Sequence, residues 1–396
     1  MSIRGIVSGI SQTKISINDS QKLCEKYKNA SFVRFFRAEA WIGRPLYPCN
    51  GRRLCSRYVK ASGLKKQTGK KDALKGIRRE KNMFQELYQE SLSRAEHKVW
   101  ILSDLQQGLP ENTRRCLEAG ISDFELLKRP AEQIWYLGDA VEGGDPDRLI
   151  AMCELQEKAF ASLNIPLCYA TGNHDYDFSR AHRDRAPWMP FYEMVRNHPG
   201  WKTTASCEDF YFRTEIGKYP VYFLCDHISQ ANKWCVTHSR VAWGREDYPY
   251  SDASAQALRA KMAAETEPLI TCGHYGFSGC NRDHDLMDHL LPLPPTERIH
   301  FYGHSHIGDW AWGKKDTWRR ICWVDWHDVP QIDVSSFENI RGQHCRSVLL
   351  HIYADGNMGV FFRNHDLHCF TEAYFPAGEN GPQGWNDMRF KYESPK

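Results

Sequence analysis

The chain has 396 residues, 41% hydrophobic and 26% charged, with a net charge of +3, so it buries a sizeable core in two or three domains or in one large domain with an appendage. No run approaches the roughly 18 to 20 apolar residues of a membrane span, and Met1 to Ala30 lacks the basic-then-apolar layout of a signal peptide, so a cytoplasmic protein is expected. The 14 cysteines include no C-x-x-C pair. Cys168, Cys225, Cys272 and Cys322 sit in apolar runs, as small buried hydrophobes do in a reducing compartment, and Cys24, Cys49 and Cys55 fit no common zinc spacing.

The near-neutral total hides an asymmetry. Met1 to His97 carries 21 Lys and Arg against 8 Asp and Glu, and the remainder carries 31 against 41. Between Arg52 and Lys81 twelve basic residues face only Asp72 and Glu80. Such a run is a solvated face, a linker or a contact for nucleic acid; a single aromatic, Tyr58, interrupts it, which weakens single-strand binding. Residues 1–97 are read as a small basic N-terminal appendage that ends in a helical pattern at Met83, Phe84, Leu87 and Tyr88.

From Lys98 the texture becomes that of a layered α/β domain, expected over 98–365 and followed by a C-terminal tail, 366–396. Val99 to Leu102 reads as a buried strand ending in Ser103-Asp104-Leu105-Gln106, and Gln133 to Leu137 as a second ending in Gly138-Asp139. Asp145-Pro146-Asp147 caps a helix through Leu163. A third strand, Ile165 to Ala170, releases Gly172-Asn173-His174-Asp175. Asp209 to Ile216 and Tyr219 to Cys225 alternate like a hairpin, and Ser251 to Glu265 reads as a helix. Pro268 to Cys272 ends in Gly273-His274, and Arg298 to Tyr302 in Gly303-His304-Ser305-His306. His227, also at a strand end, competes with His274, which Gly273 and the apolar run before it favour. A second hairpin is expected around Ala354-Asp355-Gly356-Asn357.

Asp104, Gln106, Asp139, Asn173, His174, His274, His304 and His306 thus all sit just beyond strand C-termini, the edge where α/β sheets place their sites. In order and spacing these blocks resemble the calcineurin-like metallophosphoesterase superfamily, whose run is D-x-H, G-D-x-x-[DE], G-N-H-[DE], G-H and G-H-x-H. The resemblance spans about Lys98 to His365. It implies a two-sheet β-sandwich flanked by helices, an α-β-β-α layering. It also implies two divalent metal ions about 3.5 to 4 Å apart that clamp a phosphoryl oxygen and turn a water into a hydroxide nucleophile. By resemblance one metal takes Asp104, Gln106, Asp139 and His306, and the other takes Asp139, Asn173, His274 and His304. His174 becomes the cation or general acid at the leaving oxygen, with Asp175 fixing its orientation and Glu142 behind the ligands. Gln106 stands where the family usually has histidine; a harder amide oxygen there turns the expectation to manganese, ahead of magnesium, iron or zinc.

Arg180, Arg183 and Arg185 follow the G-N-H-D block and are candidates to hold a second phosphate. Trp310 opens a tryptophan-rich stretch that could stack a base or pack between strands. The implied activity is hydrolysis of a small-molecule phosphodiester, pyrophosphate or phosphomonoester. Two alternatives stay open: a nuclease that holds nucleic acid on Arg52 to Lys81, and a catalytically silent interaction module of the same fold. Oligomeric state is unspecified.

Overall fold

Strand β1 (Ala95–Leu102) ends in a continuous apolar run because both of its faces are covered. Trp100 and Leu102 enter one apolar cluster, while Val99 and Ile101 enter another. The same alternation runs through β2 (Gln133–Leu137) and β3 (Leu167–Ala170): Ile134, Tyr136, Leu167 and Tyr169 face one way, Trp135, Leu137, Cys168 and Ala170 the other. These facts come from a computed structural model that describes residues 83–142, 145–172, 174–175, 189–206, 209–225, 252–276, 294, 297–306, 322–324, 330–339 and 344–375. All of them lie in the unit Lys65–Lys396. Arg52 to Lys81, His227 and Trp310 fall outside the described residues.

The first cluster is closed by helices. Helix α1 (83–94) supplies Phe84 and Tyr88, α2 (Pro110–Leu126) Leu117 and Phe124, α3 (Pro146–Ala161) Met152 and Phe160, and α4 (Pro190–Asn197) Phe191 and Val195. Helix α3 begins as its sequence dictates, with the Asp145 carboxylate accepting from the Arg148 amide at 3.2 Å and Pro146 in the first turn.

The second cluster is closed by another sheet. Its inward residues are Val221 and Phe223 of β5 (Tyr219–Leu224), Ile270 and Cys272 of β6 (Leu269–Gly273), Ile299 and Phe301 of β7 (Glu297–Tyr302), and Ile332 of β9 (Pro330–Asp333). Helix α5 (Asp252–Ala263) covers the outer face of that sheet. Tyr211 and Arg213 of β4 (Tyr211–Ile216) and Tyr222 of β5 point to it, with Lys261 bonded to Tyr211 and Glu265 to Arg213 (2.6 Å) and Tyr222 (2.8 Å). The result is helices, sheet, sheet, helix: the α-β-β-α layering implied by the motifs.

Both sheets are mixed. The first runs β12-β11-β10-β1-β2-β3, where β10 is Arg346–Tyr353, β11 Met358–Asn364 and β12 Cys369–Tyr374; β1, β2 and β3 are mutually parallel and β10 is antiparallel to β1. The second runs β4-β5-β6-β7-β9-β8, where β8 is Cys322–Val324, with β5, β6, β7 and β9 parallel. Parallel pairing collects the C-terminal ends of β1, β2 and β3 on one edge, and those of β6, β7 and β9 on another. Strand β1 starts at Ala95, ahead of Lys98, and β12 takes residues 369–374 from the stretch read as a tail. Strands β8 and β9 are additions to the expected set. Among the described residues no helix is long and apolar enough to cross a membrane.

Candidate metal centre

The strand ends bend sharply. Gly138 has φ 85°, and Asp104, Asp139, His304 and His306 take 57°, 52°, 64° and 44°, with Gln106 at 22°. Left-handed backbone costs a residue with a Cβ about 1–2 kcal/mol, and its concentration here marks segments bent to aim side chains. The bends are held by backbone bonds from Asp104 N to Gly138 O and from Gln106 N to Asp139 O, each 3.0 Å, which join the ends of β1 and β2. Gly172 faces Asp139 so closely that a Cβ there would overlap its amide nitrogen and carboxylate, so only glycine fits.

These bends bring five of the expected ligands together. Asp139, His274 and His304 offer ligand atoms within 4.8 Å of one another, and so do Asp104, Asp139 and His306. Asp139 is shared. His274 Nδ1 donates to the Leu137 carbonyl at 2.7 Å, which turns Nε2 to Asp139 Oδ2 at 3.1 Å and His304 Nδ1 at 3.3 Å. The His304 amide donates to both Asp104 oxygens, at 3.2 and 2.9 Å. His306 places Nε2 3.2 Å from Asp104 Oδ1.

The electrostatics ask for cations. Burial alone would raise the Asp139 carboxyl, yet His274 and the other imidazoles hold it far below the ordinary range. Burial would lower His274, and Asp139 and Asp104 instead lift it to about 10. Asp104 is pushed up by burial against the pull of His306 and His274. Two fully buried carboxylates ringed by imidazoles are stable only beside positive charge, carried by histidinium or by divalent ions.

Gln106 separates those two cases. Its Nε2 donates to Glu142 Oε2 at 2.6 Å, and its buried Oε1 has no hydrogen-bond partner among the described residues. Asp139 Oδ2 lies 3.1 Å from His274 Nε2. A buried acceptor without a donor costs about 1–3 kcal/mol. Histidine protonation leaves Gln106 Oε1 as it is, whereas a cation beside it satisfies it. The donor set, carboxylate and amide oxygens with imidazole nitrogens, fits divalent ions of intermediate hardness.

The structure changes the partners of His174. Its amide donates to Asp139 Oδ1 at 2.8 Å, and its Nδ1 lies 3.1 Å from Glu142 Oε1. Asp175, adjacent in sequence and expected to orient that ring, is engaged elsewhere. Its carboxylate accepts from the backbone amides of Gly172 (2.5 Å), Asp139 (3.0 Å) and Ala140 (2.7 Å), which ties the β3 loop to the β2 loop. Burial and then Asp139 lift its carboxyl to about 6. Glu142 is the carboxylate that faces both His174 and Gln106. Burial would raise it, but the bonds to His174 and Gln106 hold it below its ordinary range, while burial would lower His174 and Glu142 and Asp139 raise it.

One contributor had no signature in the sequence. Glu338, fully buried beyond β9, sits with Oε1 2.7 Å from His306 Nδ1. The sequence of its segment, Val334 to Glu338, contains none of the family blocks. Asn173, Arg180, Arg183, Arg185 and Trp310 lie outside the described residues.

A profile of calcineurin-like phosphoesterases matches residues 97–308, more than half of the chain. The chain belongs to that family. Among solved structures, a dimetal phosphatase from Danio rerio shares 12% identity over 71% of this chain and 98% of its own, with a TM-score of 0.51. A purple acid phosphatase from yellow lupin (Lupinus luteus) seeds shares 12% over 70% of this chain and 53% of its own, with a TM-score of 0.44. Phosphopantetheinyl hydrolase from Mycobacterium tuberculosis shares 17% over 61% and 90%, with a TM-score of 0.36. No curated protein matches. For this calcineurin-like phosphoesterase, membership implies a dinuclear divalent-metal centre, with the clustered aspartates and histidines as candidate ligands, and supports a metal-dependent phosphoester hydrolase in general terms.

Proposed function

We propose that the protein hydrolyses small-molecule phosphodiesters, pyrophosphates or phosphomonoesters at this centre. The observation that carries the reading is the pair of ligand groups that overlap in one buried carboxylate, Asp139. A shared carboxylate is what two adjacent metal ions need in order to act on one phosphoryl group. Asp104, Gln106, Asp139 and His306 would hold one ion, and Asp139, Asn173, His274 and His304 the other. When bound, the ions supply Lewis acidity to the phosphoryl oxygens and acidify a water.

The remaining work falls to the chain. Glu142 Oε1, 3.1 Å from His174 Nδ1, holds that side of the ring and favours its protonated form, so Nε2 is the atom that passes a proton to the leaving oxygen. Asp175 keeps the β2 and β3 loops in register, so Asp139 and His174 hold their spacing. Arg180, Arg183 and Arg185 would receive a second phosphate, and Trp310 a base.

The test is a panel of phosphomonoesters, phosphodiesters and nucleoside diphosphate derivatives, run with bis-p-nitrophenyl phosphate as a generic probe. His174→Ala is expected to lower kcat by about 10²- to 10⁴-fold, the usual worth of a positioned general acid, with metal content unchanged. Faster cleavage of DNA or RNA than of any small molecule would move the reading to a nuclease that uses Arg52 to Lys81. No turnover by metal-loaded protein on any substrate would leave the silent module.

Manganese is the proposed metal, because Gln106 contributes an amide oxygen where a softer imidazole would favour zinc. Protein stripped of metal and reconstituted with manganese should turn over faster than with zinc. Equal or higher activity with zinc would count against that assignment.

A further inference from the structure

We infer that Glu338 is a positioning residue for one metal ion of the pair. Through His306, and together with Glu142 behind Gln106, it places extra negative charge at the Asp104, Gln106, Asp139 and His306 position. This rests on the metal reading given above.

The argument starts from the two neutral ligands of that position. His306 directs Nε2 toward Asp104 Oδ1 (3.2 Å) because its Nδ1 hydrogen is taken by Glu338 Oε1 (2.7 Å). Gln106 keeps Oε1 for the site because its amide nitrogen is taken by Glu142 Oε2 (2.6 Å). Each neutral donor therefore has a carboxylate on its far side. Such a partner fixes the ligand's orientation and raises its basicity. In the other group, His274 gives its Nδ1 hydrogen to a neutral acceptor, the Leu137 carbonyl. The two carboxylates fall where the amide of Gln106 stands in for the family's usual imidazole. Two outer carboxylates offset the weaker donor.

Glu338 is placed by the core. Phe337 packs against Trp100 and His365 at ring distances of 5.7 and 5.3 Å, and a Cβ on Gly120 would collide with its ring. The Phe337 amide donates to Ser103 O at 2.8 Å and the Arg346 amide to Ser336 O at 3.0 Å. These bonds clamp the segment to the end of β1, one residue before Asp104.

The test is Mn(II) titration of metal-free full-length protein, with free Mn(II) read by electron paramagnetic resonance. Wild type should bind two ions. Glu338→Gln should weaken one by about 10- to 100-fold and leave the other within about threefold, the usual effect of removing an outer partner of a ligand. Glu338→Asp, which keeps the charge, should fall between. In a His306→Ala background the Glu338→Gln change should have no further effect, since its path to the metal is gone. If Glu338→Gln does not fold, Glu142→Gln, at a half-exposed residue, must weaken the same ion, and failure to do so overturns the inference. Unchanged affinity for both ions in folded Glu338→Gln, or an equal effect with and without His306, also overturns it. If wild type takes up no manganese, the metal reading itself fails.

Discussion

Asp139→Asn is expected to reduce metal-dependent phosphoester hydrolysis by on the order of 10³-fold or more. The metal pair is asked to supply several kcal/mol of charge stabilisation, and each 1.36 kcal/mol is a factor of ten in rate. Asp139 is the carboxylate common to both ligand groups, so losing its charge affects both positions at once. The amide is isosteric, and its oxygen can still accept from the His174 amide, now at 2.8 Å. The measurement is kcat on bis-p-nitrophenyl phosphate, paired with metal content and a thermal unfolding curve. A folded Asp139→Asn protein that retains two ions and wild-type kcat would remove Asp139 from the bridging role. An effect confined to one ion would show that the two positions do not share it.

Asp123→Ala is expected to destabilise the fold by about 3–5 kcal/mol, the typical cost of leaving one half of a buried ion pair. Asp123 lies on α2, fully buried, and accepts from Arg363 through Nε (2.7 Å, to Oδ2) and Nη2 (2.7 Å, to Oδ1). His365 Nδ1 adds a contact at 2.9 Å and His368 Nδ1 one at 2.7 Å. His365 continues through its Nε2 to Ser347 Oγ at 2.6 Å, which also accepts from the Trp100 indole at 2.6 Å. The network therefore ties α2 to β1, β10 and the end of β11. Ser347, His365 and Asp123 are aligned like a catalytic triad, but all three are buried, so the alignment serves the fold.

The pH dependence of that contribution has a defined sign. Burial alone would raise the Asp123 carboxyl, but Arg363 and His365 hold it well below the usual carboxylate range. A group depressed on folding contributes stability that is complete above its unfolded pKa of about 3.9 and is lost as pH falls through the folded value. The gap between wild type and Asp123→Ala should therefore be constant from neutral pH to about pH 5 and close only in stronger acid. Urea unfolding at several pH values measures it. A gap that closed between pH 7 and pH 5 would mean that the carboxylate does not govern the network.

The strands that carry the candidate ligands were legible because they are parallel and buried between layers. Burial on both faces writes the ends of β1, β2 and β3 as apolar runs, and a glycine or a candidate ligand follows each within two residues. Strand β9 opens with a proline and carries Gln331 and Asp333, and β8 is three residues long. Neither has a pattern that stands above its surroundings, and both exist as strands through the partners they pair with. Strand β12 shifts register opposite Phe362 and Arg363, so Phe370 and Ala373 enter one apolar cluster and Tyr374 the other, and Glu372, buried with its carboxyl lifted by desolvation to about 7, interrupts the run further.

The partner of His174 shows the same boundary at atomic scale. Adjacency in sequence pointed to Asp175, but the turn after Gly172 swings that carboxylate onto the amides of Gly172, Asp139 and Ala140. Glu142, thirty-two positions earlier, takes the ring. Glu338 lies further outside any local reading, since its place depends on Phe337 reaching Ser103.

The sequence by itself determined the donor chemistry: which carboxylates, amides and imidazoles stand just beyond strand ends, in which order, and hence the family. Strand periodicity and turn residues are local properties, and local properties are written in local sequence. The tertiary structure alone decided that β10, from the far end of the chain, lies beside β1, that the two sheet edges meet at Asp139, and that Glu338 stands behind His306. Those choices depend on contacts between residues separated by tens to hundreds of positions, such as His306 with Asp104. No local pattern encodes them.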